Sequence, residues 1–150
     1  MQFQNRFWEN ESLNGWGNSD IPEEIWQPTW DLAGSTGIIM SYLRWTAAQE
    51  MDALSEEERI NYILSRWENI FPGAASSLQS GMSQSWAEEE WSQGAWASPT
   101  SSQDAALASH IGLAEGRIHF AGEHASDNHG WMQGALFSGL RAATEINNSN

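Results

Sequence analysis

The chain has 150 residues, 40% of them hydrophobic, with 20 acidic side chains against 6 basic ones and a net charge of −14. That length suits one domain with a real core and is short for two, and the acidity argues against nucleic-acid backbones and anionic membrane surfaces as partners. Cysteine is absent, which removes disulfides, thiolate metal sites and cysteine nucleophiles; lysine is absent as well. No run of about 18 apolar residues reads as a membrane helix. The start, MQFQNRFWEN, lacks a signal-peptide pattern, so a soluble cytoplasmic protein is the expectation.

In chain order, MQFQNRFWE alternates well enough for a strand and begins abruptly inside that pattern. NESLNGWGNSDIP is loop by composition, and EIWQPTWDL is strand-like with Pro28 marking an edge or a bend. Residues 37–43, GIIMSYL, predict a strand, and RWTAAQEMDAL a short helix. Ser55 with Glu58 forms a capping box, and apolar residues at Ile60, Ile63, Leu64, Trp67, Ile70 and Phe71 trace one helical face. Pro72-Gly73 stops that helix. Residues 74–85 carry no pattern. SWAEEEWSQGAWASPTSSQ reads as loop, with Glu88, Glu89 and Glu90 in a solvated turn, and a helix is expected over 103–114. The composition shift near residue 86 divides the chain into 1–85 and 86–150.

The last 35 residues are the most organised. Gly116 turns the chain into a strand at Arg117, and a helix runs from near Gly130 to about Asn147. Its expected buried face is Trp131, Ala135, Leu136, Gly139, Leu140, Ala143 and Ile146, with Gly134 and Gly139 allowing close backbone approach. The free N–H groups at Trp131 and Met132 carry the positive end of the helix dipole and favour a phosphate, a carboxylate or an electron-rich ring edge. His119, His124 and His129 fall five residues apart around Glu123, a spacing that fits no zinc site, so no metal is expected. Ser126 has histidines nearby but no nucleophile elbow. The ten tryptophans are expected mainly in core and interfaces, with a few free to line a pocket for a flat or cationic ligand.

RIHFAGEHASDNHGWMQGALFSGLRAATEI, residues 117–146, resembles the C-terminal flavin-binding signature of the flavin amine oxidase family, which includes monoamine oxidases and L-amino acid oxidases. The matching pattern is a strand, F-A-G-E, a short loop, G-[WY]-M and a helix with S-G-x-R-A-A. Upstream, SWAEEEWSQGAW is similar to the family's tryptophan and acidic turn, LSEEERINYILSRWENIFPGA to its substrate-domain helix, and FQNRFWEN to a strand ending in Phe-Trp. The resemblance spans essentially the whole chain. It implies an α/β fold made of an α+β part of a substrate-binding domain (1–85) and the C-terminal strand and helix of a Rossmann-like FAD domain (86–150), incomplete without the N-terminal dinucleotide-binding unit.

By the same resemblance Gly122, Glu123, Gly130, Trp131 and Met132 contact the cofactor, with Glu123 on the ribityl or ribose side and Trp131-Met132 facing the pyrimidine oxygen. A helix N-terminus there would stabilise negative charge on reduced flavin. Trp96 and Trp131 match two walls of an aromatic substrate cage. Ala95 stands where some members carry a covalent flavin cysteine, which implies non-covalent FAD. The loop between Gly122 and Gly130 has the shorter length of the L-amino acid oxidases. Two departures are large: no G-x-G-x-x-G is present, and the lysine that the family places near flavin N5 would fall before Met1. The expectation is therefore the C-terminal part of a FAD-dependent oxidase. It would act on an amine or L-amino acid, be inactive alone, and need a second polypeptide carrying G-x-G-x-x-G. The other reading is an inactive, tryptophan-rich interaction module derived from such an oxidase.

Overall fold

A computed structural model describes residues 1–10, 13–20 and 24–149. The chain divides into two compact units, Met1–Ser85 and Trp86–Asn150. Its helices and two small antiparallel sheets make it α+β.

The first unit runs β1 (Gln2–Phe3), a 3-10 turn (Phe7–Glu9), β2 (Gly17–Asn18), β3 (Glu24–Trp26), β4 (Gly37–Ile38), β5 (Met40–Tyr42), α1 (Trp45–Asp52), α2 (Glu56–Ile70), α3 (Ala74–Ser77) and β6 (Leu78–Ser80). One sheet has the order β4-β1-β6 and the other β2-β3-β5. The single strand expected over 37–43 is divided between them: Gly37 and Ile38 pair with β1, while Met40 to Tyr42 pair with β3. Ile39, at the crossing, is wholly buried. One continuous apolar run thus serves two sheets, because both need an inward side chain at the corner. The strand expected at the start of the chain ends at Phe3, and the 3-10 turn then swings Trp8 into the core. β6 falls in a stretch without sequence pattern and is specified by its pairing with β1.

The core of this unit is Phe3, Trp8, Ile25, Ile39, Ile63, Leu64, Trp67, Phe71 and Ala74. Its aromatic rings meet edge to face, Phe3 on Phe7 at 5.1 Å and Phe7 on Trp8 at 4.9 Å between centroids, the arrangement favoured by the ring quadrupoles. α2 forms as its sequence predicts. Ser55 Oγ accepts from Glu58 N–H, and Glu58 accepts in return from Ser55 N–H. Ile63, Leu64 and Trp67 face inward, and Gly73 takes the left-handed conformation (φ +90°) that lets the chain leave the helix. A Cβ on Gly37 would meet the Trp8 ring at 2.6 Å, so only glycine lets this strand pass over the indole.

Of the ten tryptophans expected mainly in core and interfaces, Trp8 and Trp67 are buried in the core. Trp16, Trp26 and Tyr42 instead stack across the outer face of β2-β3-β5 at 5.8 and 5.5 Å. Arg44 closes this stack over Tyr42 and pairs with Glu24, which also accepts from the Trp26 indole N–H. Cross-strand stacking explains why these large rings sit on a surface.

The second unit contains α4 (Ser101–Leu107), a single 3-10 turn (Glu123–Ala125) and α5 (Met132–Asn148). α4 starts earlier than expected because Thr100 and Gln103 form a second capping box. The strand expected at Arg117 is not formed: Glu115 and Ile118 make an isolated bridge and no ladder follows. A strand needs neighbours to receive its hydrogen bonds, and among the described residues this unit offers none. The apolar face expected for α5 lies open in this chain. Gly134, Ser138 and Ala142 are buried, whereas Trp131, Leu136, Leu140 and Ile146 are exposed. The helix presents its small residues inward to the 122–128 loop and leaves its large apolar ones uncovered. A Cβ on Gly134 would clash with Asn128 O and Ser126 Oγ, but one on Gly139 would meet nothing within 4 Å, so close approach holds only for Gly134.

Candidate functional site

Three short segments of the second unit converge: Ala95 to Ala97, Gly122 to Ser126, and Gly130 to Met132. The N-terminal end of α5 organises them. Trp131 is its N-cap residue, with extended backbone (φ −117°, ψ 140°) and no side-chain cap. The N-cap side chain therefore accepts none of the first N–H groups of this 17-residue helix. Trp131 and Met132 are 67% and 85% exposed, so this end can be reached. Gly130, at φ +75°, makes the turn into the helix, and a Cβ there would meet the Trp96 ring at 3.3 Å. The Trp96 indole thus lies over Gly130, beside the helix start.

Glu123 sits between these parts. Its Oε1 accepts from Ala97 N–H at 2.7 Å and its Oε2 from Gly130 N–H at 2.6 Å. Partial burial is the largest influence on this carboxyl and works to raise its pKa. The two amide bonds, with charge on His129 and His124, outweigh it and hold Glu123 below the usual carboxylate range. Gly122 adopts φ +145°, and both its N–H and its C=O are bonded to Ser138 Oγ, at 2.8 and 2.7 Å. Ser126 Oγ donates to Glu123 O and accepts from Asn128 N–H, closing the loop on itself.

One turn further along α5, Arg141 donates to Gly112 O (2.6 Å), Phe120 O (2.8 Å) and Glu145 (2.7 Å). His119 Nδ1 lies 3.0 Å from the same Glu145. Two bonds, first that with His119 and then that from Arg141, hold Glu145 below the usual carboxylate range. Of the three histidines, His119 is drawn to Glu145, and only His124 and His129 lie near Glu123. Among the described residues no three metal-ligating side chains gather. A cleft of about 260 Å³ is bounded by Ala97, Pro99, Leu107, Ile111, His124 and His129, smaller than the usual pocket for a small organic ligand.

The structure brings Trp96, Gly122, Glu123, Gly130, Trp131 and Met132 to one region. Sequence reasoning gave no role to Ala97, Ser138 or Arg141. For the last two a signal existed: Ser138 lies one helical turn from both Gly134 and Ala142, on the small-residue face, and Arg141 follows three residues on. Ala97 contributes only a backbone N–H, which no sequence pattern marks.

Comparison with known proteins places the chain in a family. Residues 1–147 match the profile of flavin containing amine oxidoreductases. The chain belongs to the flavin-containing amine oxidoreductase family. YobN of Bacillus subtilis (strain 168) is 39% identical over 153 residues, covering 98% of this chain and 32% of its own. The L-amino-acid oxidase of Siganus canaliculatus is 34% identical, over 98% of this chain and 29% of its own. Among solved structures, putrescine oxidase bound to putrescine superposes with a TM-score of 0.82 at 26% identity, over 97% of this chain and 33% of that one. A triple mutant of putrescine oxidase gives 0.86 at 25% identity, over 99% and 34%. The chain thus spans about a third of the length of the relatives it matches. The family whose profile it matches is one of flavin-containing oxidoreductases. No helix among its described residues is long and apolar enough to cross a membrane.

Proposed function

We propose that this chain supplies the C-terminal part of a FAD-dependent oxidase that converts an amine or L-amino acid to an imine. The observation that carries the reading is the accessible, uncapped start of α5, flanked by the Trp96 ring and by Glu123. These residues fit an isoalloxazine edge: the first N–H groups of the helix suit a ring edge that becomes negative on reduction, and the glycine before them admits a flat group to the backbone. When bound, the flavin supplies the hydride acceptor, which oxygen then restores with release of hydrogen peroxide.

The chain's own residues do the rest of the work assigned here. Gly122, Glu123, Gly130, Trp131 and Met132 make the cofactor-facing wall. Trp96 and Trp131 hold the substrate's reacting carbon by stacking and dispersion and keep water from it. Ala95 offers no thiol, so FAD is held without a covalent bond. No lysine is present to hold a water near flavin N5, and no catalytic base is assigned within these 150 residues. We propose that a pyrophosphate-binding G-x-G-x-x-G element outside these 150 residues completes the site. Co-expression of the chain with such a flavin-domain polypeptide should give a yellow protein with flavin absorption. A colourless complex, or no complex, would remove the reading. In the assembled enzyme Trp131→Ala should lower amine or amino-acid turnover at least tenfold, as expected on loss of one positioning contact.

A second reading, a tryptophan-rich interaction module without catalysis, is favoured by one observation: Trp30, Trp45, Trp86 and Trp91 are all more than half exposed. It predicts partner binding that survives omission of flavin.

A further inference from the structure

The carboxylate of Glu123 has a task that contact with a ligand does not require. Its two oxygens are each taken by a backbone amide, and the two amides come from separate segments, Ala97 and Gly130. Ala97 directly follows Trp96, and Gly130 directly precedes Trp131. One rigid planar group therefore ties together the backbones that carry both indoles. Charge-assisted bonds of this kind are roughly twice as strong as neutral ones.

We infer that Glu123 is a positioning residue whose carboxylate staples the Trp96 segment to the start of α5, and so sets the spacing of Trp96 and Trp131. This rests on the proposed reading of those two side chains as the substrate walls. The staple has a firm base. Ser138 holds both backbone groups of Gly122, just before Glu123, and Arg141 holds Phe120 O on the same strand of chain. The staple also depends on length and on charge. Aspartate keeps the charge but is one methylene short of spanning both amides. Glutamine keeps the length but turns an NH₂ donor toward one N–H. The other titratable groups that bear on Glu123 are His124 and His129.

The test uses the free 150-residue chain labelled with ¹⁵N. The amide protons of Ala97 and Gly130 should titrate together, with one common midpoint below the range of an ordinary glutamate and apart from any histidine step. In Glu123→Gln both amides should exchange with solvent about tenfold faster or more, as expected for loss of a charge-assisted bond. The Trp96 ring to Gly130 Hα cross-peak should vanish with them. Glu123→Asp should recover at most one of the two amides, whereas a role in charge alone would be restored in full. Separate midpoints for the two amides, an unchanged cross-peak in Glu123→Gln, or full rescue by aspartate would overturn the staple. If Glu123→Gln fails to fold, the wild-type titration decides alone. No flavin enters these measurements, so failure here leaves the oxidase reading standing, and failure of flavin binding in the assembled enzyme leaves the staple standing.

Discussion

The two units of this chain are held by different forces. Among the described residues of 1–85, nine apolar side chains form a shared core closed by α2 and two small sheets. In residues 86–150, the buried apolar side chains are two alanines, Ala125 and Ala142, and the loops are tied to α5 by Ser138, Arg141 and Glu123. The large apolar residues of the second unit, Leu136, Phe137 and Leu140 among them, lie open. Apolar burial is non-directional and tolerates repacking, while a polar clamp fixes geometry and fails if one partner goes. The unit with the candidate site is thus precise in its loops and unfinished on its surface.

Breaking the first unit should cost most. Trp67→Ala removes a wholly buried indole from the centre of the core and should lower unfolding stability by about 3–5 kcal/mol, measured by urea unfolding of α2. In the second unit, Arg141→Ala strips the acceptors at Gly112 and Phe120 of their partner. It should cost about 1–3 kcal/mol, seen as faster amide exchange in residues 112–126 with little change in α2. At the small end, Leu140→Gln should change stability by less than about 0.5 kcal/mol in this chain, since the side chain is 67% exposed. A loss there comparable to Trp67→Ala would contradict the contrast.

Acid should separate the units as well. Glu123 and Glu145 both titrate below their ordinary range in the folded chain. A carboxyl depressed in this way contributes stability that is fully present above its unfolded pKa and is lost as pH falls through its folded one. Glu58 and Glu68 in the first unit are depressed too, through bonds to Ser55 and to Gly73 and Ala75. Those bonds only finish helix ends, whereas Glu123 and Glu145 join segments distant in sequence. Amide resonances of α2 and of residues 112–126 should therefore lose their dispersion at different pH on acidification, the second unit first. Coincident transitions would sink this.

What the sequence makes legible follows the same division. The capping box at Ser55, the α2 face and the stop at Pro72-Gly73 depend on residues close in the chain, and each is found where the pattern puts it. β6 and the split of residues 37–43 between two sheets depend on distant partners and leave no local mark. The stripe of Trp131, Leu136, Leu140 and Ile146 reads as a buried face because apolar residues at helical spacing normally are buried; here all four are exposed. The region around Glu123 was legible as a cluster of residue types. That the carboxylate would be spent on two backbone amides was not, since those donors exist in every residue but proline.

The central claim is that α5 is the place where this chain is completed. The direct measurement is hydrogen exchange of the 150-residue chain, alone and after co-expression with a flavin-domain polypeptide and FAD. Completion predicts that amides of residues 132–140 slow at least tenfold in the complex while those of α2 stay as they were. Unchanged exchange at the start of α5 in a flavin-loaded complex would contradict it.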